Sequence, residues 1–317
     1  MSLRRIRGAR TAVVVGLVAG FGASGCSPGS SAPVTSGSSS PGAIVAVGAE
    51  NEYADVIGRV GGRYVRVSAI ESNPNTDPHT FEASPSVARV IGSARLIVQN
   101  GLGYDSFMNT VESATSTAGR QVIDVQKLLG LPDSTGNPHL WYRPSTMPAV
   151  AAAVARDLAG IEPAHAAYFR ANAAGFDRSL TPWYTALAAF AKRFPGTRVA
   201  TTEPVGDYML EAAGTDDLSP FTLQSEIMNG VDPAPQDVTL ENGLFSGHRV
   251  KVFVYNEQVT DSLTANFLAA ARRYGVPVVG VYETMPTPGY DYASWMLAEV
   301  RALEAAVADG TSTERLR

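Results

Sequence analysis

The sequence predicts an α/β protein made of two lobes with mainly parallel sheets. Short runs rich in β-branched residues alternate with helical stretches from residue 43 onward, and such alternation is typical of parallel sheets covered by helices. Four runs precede a long helical stretch and three follow it. The runs lie at 44–47, 64–67, 96–98, 122–125, 198–200, 250–254 and 276–279.

The grouping of these runs predicts the domain boundaries. We expect an N-terminal α/β lobe over 43–144, a linking helical segment over 145–194 and a C-terminal α/β lobe over 195–309, followed by a tail over 310–317. The linking segment is rich in Ala, it is interrupted by Gly160 and Pro163, and Pro182 within it should mark a kink or a boundary. One long helix here would act as a stiff strut between the lobes.

Composition narrows the function classes. The chain has 317 residues, 25 basic against 30 acidic side chains, a net charge of −5 and one Cys. This weakly acidic balance argues against a nucleic-acid-binding protein, which needs a basic face for phosphates. One Cys excludes an internal disulfide and a four-thiolate zinc site.

The N-terminus has the order of an export signal. Four arginines within the first ten residues precede an apolar run over 11–21, small residues and then Cys26. The apolar run is too short to span a membrane, which takes about 20 residues. Because Cys26 stands where cleavage would occur, residues 1–26 resemble a lipoprotein signal peptide that leaves Cys26 lipidated. Residues 27–42 are rich in Ser, Gly and Pro and are expected to form a flexible tether. The protein is thus expected to be exported and anchored to the outer face of the cytoplasmic membrane.

Four residues at predicted strand ends are candidate metal ligands. His79 and His139 each follow an Asx-Pro pair, which favours a rigid turn. Glu203 and Glu283 follow runs of the second half. Ligands of open α/β sheets bind beyond the carboxyl ends of strands, so all four could meet between the lobes. Two imidazoles and two carboxylates suit a divalent transition metal. The other two histidines, His165 and His248, lack the Asx-Pro setting and are expected to be solvated.

Enzyme functions have less support. The chain has no Gly-x-Ser-x-Gly nucleophile motif and no phosphate-binding loop ending in Gly-Lys-Ser/Thr. A metallohydrolase remains an alternative, since the same four residues could hold a catalytic zinc. A receptor of similar architecture for an organic ligand such as a siderophore or a corrinoid is the alternative that ranks before the metallohydrolase.

Three motifs resemble one family. They are Asp-Pro-His79-Thr-Phe-Glu-Ala-Ser-Pro together with the run 96–103, Asn-Pro-His139-Leu-Trp, and the Glu-Gln turn after Val254-Tyr-Asn. They resemble the metal-binding solute-binding lipoproteins of ABC importers, the cluster A-I group of zinc and manganese receptors, and the similarity runs over 43–307.

The resemblance implies a ligand set and partners. It places the first two ligands on His79 and His139 and the third, His or Glu in this family, on Glu203. The fourth ligand is usually Asp, and Glu283 takes its place here. The family implies two α/β lobes joined by one long helix with the metal between them, and it implies a membrane permease and an ATPase as partners. A monomer is expected.

The donor set gives a metal ranking. Half of the four ligands are carboxylates, and the chain has no His-rich loop, so manganese is placed narrowly before zinc, with iron third. Four residues near the motifs are candidates for orienting the ligands, and two aromatic residues are expected to wall the site. The orienting candidates are Asp77, Glu82, Asn137 and Glu257, and the wall residues are Trp141 and Tyr208.

Overall fold

The computed structural model describes residues 42–115 and 117–316. The predicted signal peptide, Cys26 and the tether up to residue 41 lie outside the described residues. Within the described part, no helix combines the length and the apolar character that a membrane span requires.

The first half forms a four-stranded parallel sheet in the order β2-β1-β3-β4. The buried runs of Val, Ile, Leu and Ala in its two central strands are typical of strands covered on both faces. The strands are β1 (Ile44–Glu50), β2 (Val65–Glu71), β3 (Leu96–Gln99) and β4 (Gln121–Asp124). The helices of this half are α1 (Asn51–Gly61), α2 (Pro85–Ser93), α3 (Ser106–Ala114) and α4 (Val125–Leu128).

The linking stretch is helical, but it is divided into three α-helices where one long helix was expected. The helices are α5 (Thr146–Ile161), α6 (Ala166–Ser179) and α7 (Thr181–Arg193). The chain turns between α5 and α6 through a 3₁₀ turn that begins at Pro163, and the two helices pack against each other. Pro182 lies in the first turn of α7, as its lack of an N–H predicts. Leu180, between α6 and α7, keeps helical backbone angles.

The second half repeats the strand order of the first, as β6-β5-β7-β8, again parallel. Its strands are β5 (Arg198–Thr201), β6 (Asp216–Asp217), β7 (Val252–Asn256) and β8 (Val278–Val281). The two-residue acidic strand β6 was not predicted because it has no hydrophobic pattern. The helices are α8 (Asp207–Ala212), α9 (Phe221–Met228), α10 (Pro235–Ser246), α11 (Ser262–Arg273) and α12 (Tyr292–Asp309).

The C-terminal tail extends this second sheet. Thr313 bridges to Val279 in parallel, and its N–H donates to the Val278 carbonyl at 2.8 Å. Gly280 makes the approach possible, since a Cβ there would lie 1.8 Å from the Glu314 carbonyl oxygen. The tail therefore packs along the strand that leads to Glu283.

One hydrophobic cluster joins the two halves. It runs from β1 and β3 through the bulky side chains of Trp141, Trp183, Tyr292 and Trp295 to β7 and β8, and all four of these side chains are fully buried. Because this core is continuous, the strand ends and turns at the interface of the lobes are packed against side chains of both halves.

Candidate metal centre

Three of the four predicted ligands converge at this interface. The Nε2 atom of His79 lies 3.0 Å from Oε2 of Glu283, and Nε2 of His139 lies 3.3 Å from the same oxygen. One potential ligand atom from each residue falls within 4.8 Å of the others, and the described residues contain no second group of this kind. His139 and Glu283 are fully buried, whereas 24% of the His79 side chain is exposed. His79 therefore lies on the side from which an ion can enter.

His79 is positioned by a local turn. Asp77 accepts a hydrogen bond from the His79 backbone N–H at 2.8 Å, and Pro78 fixes the first position of a short 3₁₀ turn. This is the Asx-Pro geometry expected from the sequence. The imidazole edge faces the Tyr104 ring at a centroid distance of 5.3 Å.

His139 is oriented by Asn137. The amide Nδ2 of Asn137 donates to the Pro204 carbonyl at 2.6 Å, so Oδ1 faces His139 and lies 2.8 Å from its Nδ1. An oxygen in that place requires a proton on Nδ1, which leaves the lone pair of the neutral ring on Nε2. This lone pair points toward the Glu283 carboxylate. A carbonyl or amide oxygen behind the far ring nitrogen is the arrangement of metal-binding histidines.

Glu283 has partners on both carboxylate oxygens besides the two imidazoles. Tyr104 donates its hydroxyl to Oε2 at 3.0 Å, and Asn256 donates Nδ2 to Oε1 at 2.7 Å. The backbone N–H of Glu283 donates to Oε1 of Gln258 at 2.7 Å. The amide of Gln258 also donates to the Thr76 carbonyl at 2.8 Å. Gln258 thus connects the loop before His79 to the strand end that carries Glu283.

Glu203 lies next to this cluster but outside the group of three. Its Oε1 accepts a hydrogen bond from Asn256 at 3.2 Å, and the same Asn256 nitrogen contacts Glu283. Its Oε2 is buried and accepts no hydrogen bond from the residues that the structure describes. A buried oxygen without a partner is costly, and a cation is one way to satisfy it.

The electrostatics of the cluster favour a cation. Burial would raise the pKa of Glu283, but hydrogen bonds and charges from His139 and His79 outweigh burial and hold this pKa well below its usual range. Burial lowers the pKa of His139, which keeps the ring neutral. Burial and the negative charge of Glu283 raise the pKa of Glu203. The hydrogen bonds of Glu283 to the two histidines need a proton between each imidazole and the carboxylate, and a metal cation can take the place of that proton between the neutral Nε2 of His139 and Oε2 of Glu283, which lie 3.3 Å apart.

The predicted neighbours of the ligands divide into two groups. Asn137 contacts His139, the Trp141 ring lies edge-on to the His139 ring at 5.4 Å, and the Tyr208 hydroxyl donates to the Asn137 carbonyl. Glu82 is exposed. Glu257 pairs with Arg315 at 2.9 Å rather than orienting a ligand, because it precedes Gln258 on the outer side of the turn.

Sequence reasoning missed Tyr104 and Asn256. Tyr104 follows a tight turn in which Gly101, Leu102 and Gly103 all have positive φ, and two Gly directly after a strand were the available signal. Asn256 is the last residue of β7, a strand end like those that were examined.

The two histidines excluded from the site lie elsewhere. His165 stacks on Tyr64 at a centroid distance of 3.8 Å. His248 lies in a turn at φ +49° with its ring against Tyr274.

Comparison with known proteins gives one family and several relatives. Residues 47–306 match the family described as ZnuA, zinc-uptake complex component A, periplasmic. The chain is 26% identical over 170 residues to the manganese-binding lipoprotein MntA of Bacillus subtilis (strain 168). That match covers 52% of this chain and 54% of the relative, so the chain spans about half the length of the curated relative it matches.

Solved structures confirm the two-lobed fold. A crystal structure of ZnuA has a TM-score of 0.69 and 20% identity, covering 84% of this chain and 100% of that chain. The Mn-bound periplasmic metal binding protein from Candidatus Liberibacter asiaticus has a TM-score of 0.67 and 19% identity, covering 83% of this chain and 99% of that chain.

Proposed function

Because the chain belongs to the family of zinc-uptake complex component A, periplasmic, we propose that it is an extracytoplasmic metal-binding receptor of an ABC importer. In this role it captures a divalent transition metal and delivers it to a membrane permease that works with an ATPase. The observation that carries the proposal is the convergence of His79, His139 and Glu283 on one buried point. We further propose that the protein acts as a monomer and binds no nucleic acid.

The geometry supports the following ligand set. We propose Nε2 of His79, Nε2 of His139 and Oε2 of Glu283 as ligands, because these atoms already face one another. Glu203 supplies the fourth ligand through Oε2, the buried oxygen that has no partner among the described residues. Nδ2 of Asn256 donates to both carboxylates and so fixes the position of Glu203 relative to Glu283.

The proposed cargo is manganese, placed narrowly before zinc, with iron third. Two nitrogen and two oxygen donors are harder than a site with three imidazoles, and harder donors favour manganese more than zinc. The relative from Bacillus subtilis is named as manganese-binding, and a structural neighbour was solved with manganese.

Elemental analysis tests the proposal. The purified protein is stripped with a chelator, reloaded competitively with Mn²⁺, Zn²⁺ and Fe²⁺, and compared with a His79→Ala, His139→Ala double variant. We expect one metal ion per chain in the wild type and loss of binding by at least about a thousandfold in the variant, since two of four ligands are gone. The matched control is His165→Ala, His248→Ala, which removes the other two histidines and should bind like the wild type.

Each outcome of the elemental analysis supports or contradicts the receptor proposal, the position of the site or the metal ranking. No bound metal under any loading would overturn the receptor proposal, and equal loss in both double variants would show that the site lies elsewhere. Retention of Mn²⁺ against modest Zn²⁺ would support the metal ranking, whereas complete displacement by equimolar Zn²⁺ would reverse it.

We also propose that Cys26 carries the membrane anchor. In cells, the wild-type protein should sediment with membranes and incorporate a labelled fatty acid, and a Cys26→Ser variant should lose both properties. Incorporation that persists in the variant would contradict the assignment.

A further inference from the structure

The hydroxyl of Tyr142 joins the segment of His139 to the segment of Glu283. Tyr142 lies three residues after His139 in the 3₁₀ turn Leu140–Tyr142. Its Oη lies 2.9 Å from the carbonyl oxygen of Tyr282 and 3.2 Å from the backbone nitrogen of the same residue. Tyr282 directly precedes Glu283. One side chain from the first half therefore holds both backbone groups of the residue before a proposed ligand.

A buried carboxyl completes this contact. Oε1 of Glu299, in α12, lies 2.9 Å from Oη of Tyr142 and 2.7 Å from Nε1 of Trp295. Tyr142, Trp295 and Glu299 are all fully buried. No cation in the described part of the chain pairs with Glu299, and the proposed metal ligands do not touch it.

The protons available on the Tyr142 hydroxyl and the Glu299 carboxyl decide which hydrogen bonds can form between them and the Tyr282 backbone. The Tyr282 nitrogen can only donate to Oη of Tyr142, and the Tyr282 carbonyl can only accept from it. The Tyr282 carbonyl and Oε1 of Glu299 both lie 2.9 Å from Oη and compete for the single hydroxyl proton, so a proton on the Glu299 carboxyl is required to leave the hydroxyl proton to the carbonyl. A neutral Glu299 satisfies this requirement, and burial raises its pKa to about 8. The ionised form would take the Tyr142 proton and leave the Tyr282 carbonyl without this partner.

We propose that Tyr142 and Glu299 are positioning residues of the metal centre, which together fix the strand end that carries Glu283 relative to the turn that carries His139. The proposal rests on the proposed function and deepens it. Gln258 ties the His79 loop to Glu283 from one side, and the Tyr142 hydroxyl ties the His139 turn to Tyr282 from the other. The distance between Nε2 of His139 and Oε2 of Glu283 then depends on a neutral carboxyl that never contacts the ion.

The test measures the affinity for the metal ion and its coordination geometry, rather than the stability of the fold. Tyr142→Phe, Glu299→Gln and Glu299→Ala variants of the purified protein are compared for Mn²⁺ affinity by chelator competition and for the visible d–d spectrum of bound Co²⁺. Removing a group that orients ligands typically weakens metal binding by about 10–100-fold. We expect a loss in that range and shifted Co²⁺ bands for Tyr142→Phe and Glu299→Ala.

Glu299→Gln should bind more tightly than Glu299→Ala and have a Co²⁺ spectrum closer to the wild type, because the uncharged amide fills the same space and can still hydrogen-bond to Tyr142 or Trp295. The matched control is Tyr184→Phe, which loses a hydroxyl bond to the Pro144 carbonyl and should leave affinity and spectrum unchanged. A residue with a merely structural role would lower the melting temperature without moving the Co²⁺ bands.

Two results would overturn the inference while the proposed function stands. One is wild-type affinity and spectrum in Tyr142→Phe, and the other is a Glu299→Gln variant as weak as Glu299→Ala, which would mean that the charged carboxylate is needed. If Tyr142→Phe is not recovered folded, the comparison of the two Glu299 variants decides alone. A wild-type protein that binds no metal would instead overturn the proposed function first.

Discussion

Buried carboxyls lie at the carboxyl ends of both sheets, but their partners differ. Glu50 and Glu71 end β1 and β2 and are paired in register, yet none of their four oxygens accepts a hydrogen bond from a described residue. Glu283, just beyond β8, has two imidazoles, a phenol and an amide around its carboxylate. Burial raises the pKa of Glu50 and Glu71, whereas the histidines lower the pKa of Glu283.

The difference shows why burial alone does not identify a ligand. A carboxyl without donors or cations is taken from water at a high free-energy cost and becomes neutral instead. A neutral carboxyl is a poor ligand for a cation. Glu283 stays ionised because its partners replace the lost hydration, and two of those partners are themselves potential ligands. The charge state of Glu283, set by its neighbours, therefore distinguishes it from Glu50 and Glu71, whereas Glu203, whose pKa is raised by burial and by Glu283, must lose its proton to metal binding before it can serve as the proposed fourth ligand.

The largest effect is expected when Glu is replaced by Gln at position 283, and the same replacement at position 71 provides the comparison. We expect Glu283→Gln to weaken Mn²⁺ binding by about a thousandfold, or about 4 kcal/mol, because a charged ligand becomes a neutral amide. Glu71→Gln should leave the affinity within about threefold, since the native carboxyl there is already neutral. Chelator competition at pH 7 measures both.

An equal loss in the two variants would break the comparison, because it would mean that Glu71 carries charge that the ion feels. As a check on folding, both variants should keep the far-ultraviolet circular dichroism of the wild type.

The sequence predicted much of the fold, and it singled out the three residues that converge at the candidate metal centre. The alternation of β-branched runs with helices predicted the parallel sheets, and the Asx-Pro turns marked His79 and His139 because those turns are local. The sequence also marked the interruption of the linking segment at Gly160 and Pro163, but it did not show that α5 and α6 pack against each other, because that packing depends on the tertiary fold.

The groups that orient the ligands were harder to predict. Tyr104 and Tyr142 act through contacts that form only when the two lobes meet, at sequence separations of 179 and 140 residues from their partners. Asn256 acts through a contact between two strand ends of the second lobe, 27 residues apart. Glu257 was predicted from its proximity to the motif. Asn256 lies at the same strand end, and only the direction of the side chain, set by the alternation along β7, distinguishes the two residues.

The last prediction concerns Glu241 in α10 and the pH dependence of the free energy of unfolding. This carboxyl is fully buried, and burial raises its pKa to about 8. Between its unfolded value, near 4.5, and pH 8 the native state holds a proton that the unfolded chain has lost. The free energy of unfolding therefore falls as pH rises through this window, by on the order of 5 kcal/mol from this group.

Urea unfolding of the metal-free protein between pH 5 and pH 8.5 measures this slope. Glu241→Gln should have a flatter profile than the wild type, because an amide binds no proton in either state, and the two curves should diverge most at the alkaline end. Glu82→Gln, at an exposed position, should follow the wild-type curve. Parallel curves for Glu241→Gln and the wild type would show that Glu241 is ionised in the native state and that buried carboxyls without cations need not be neutral in this protein.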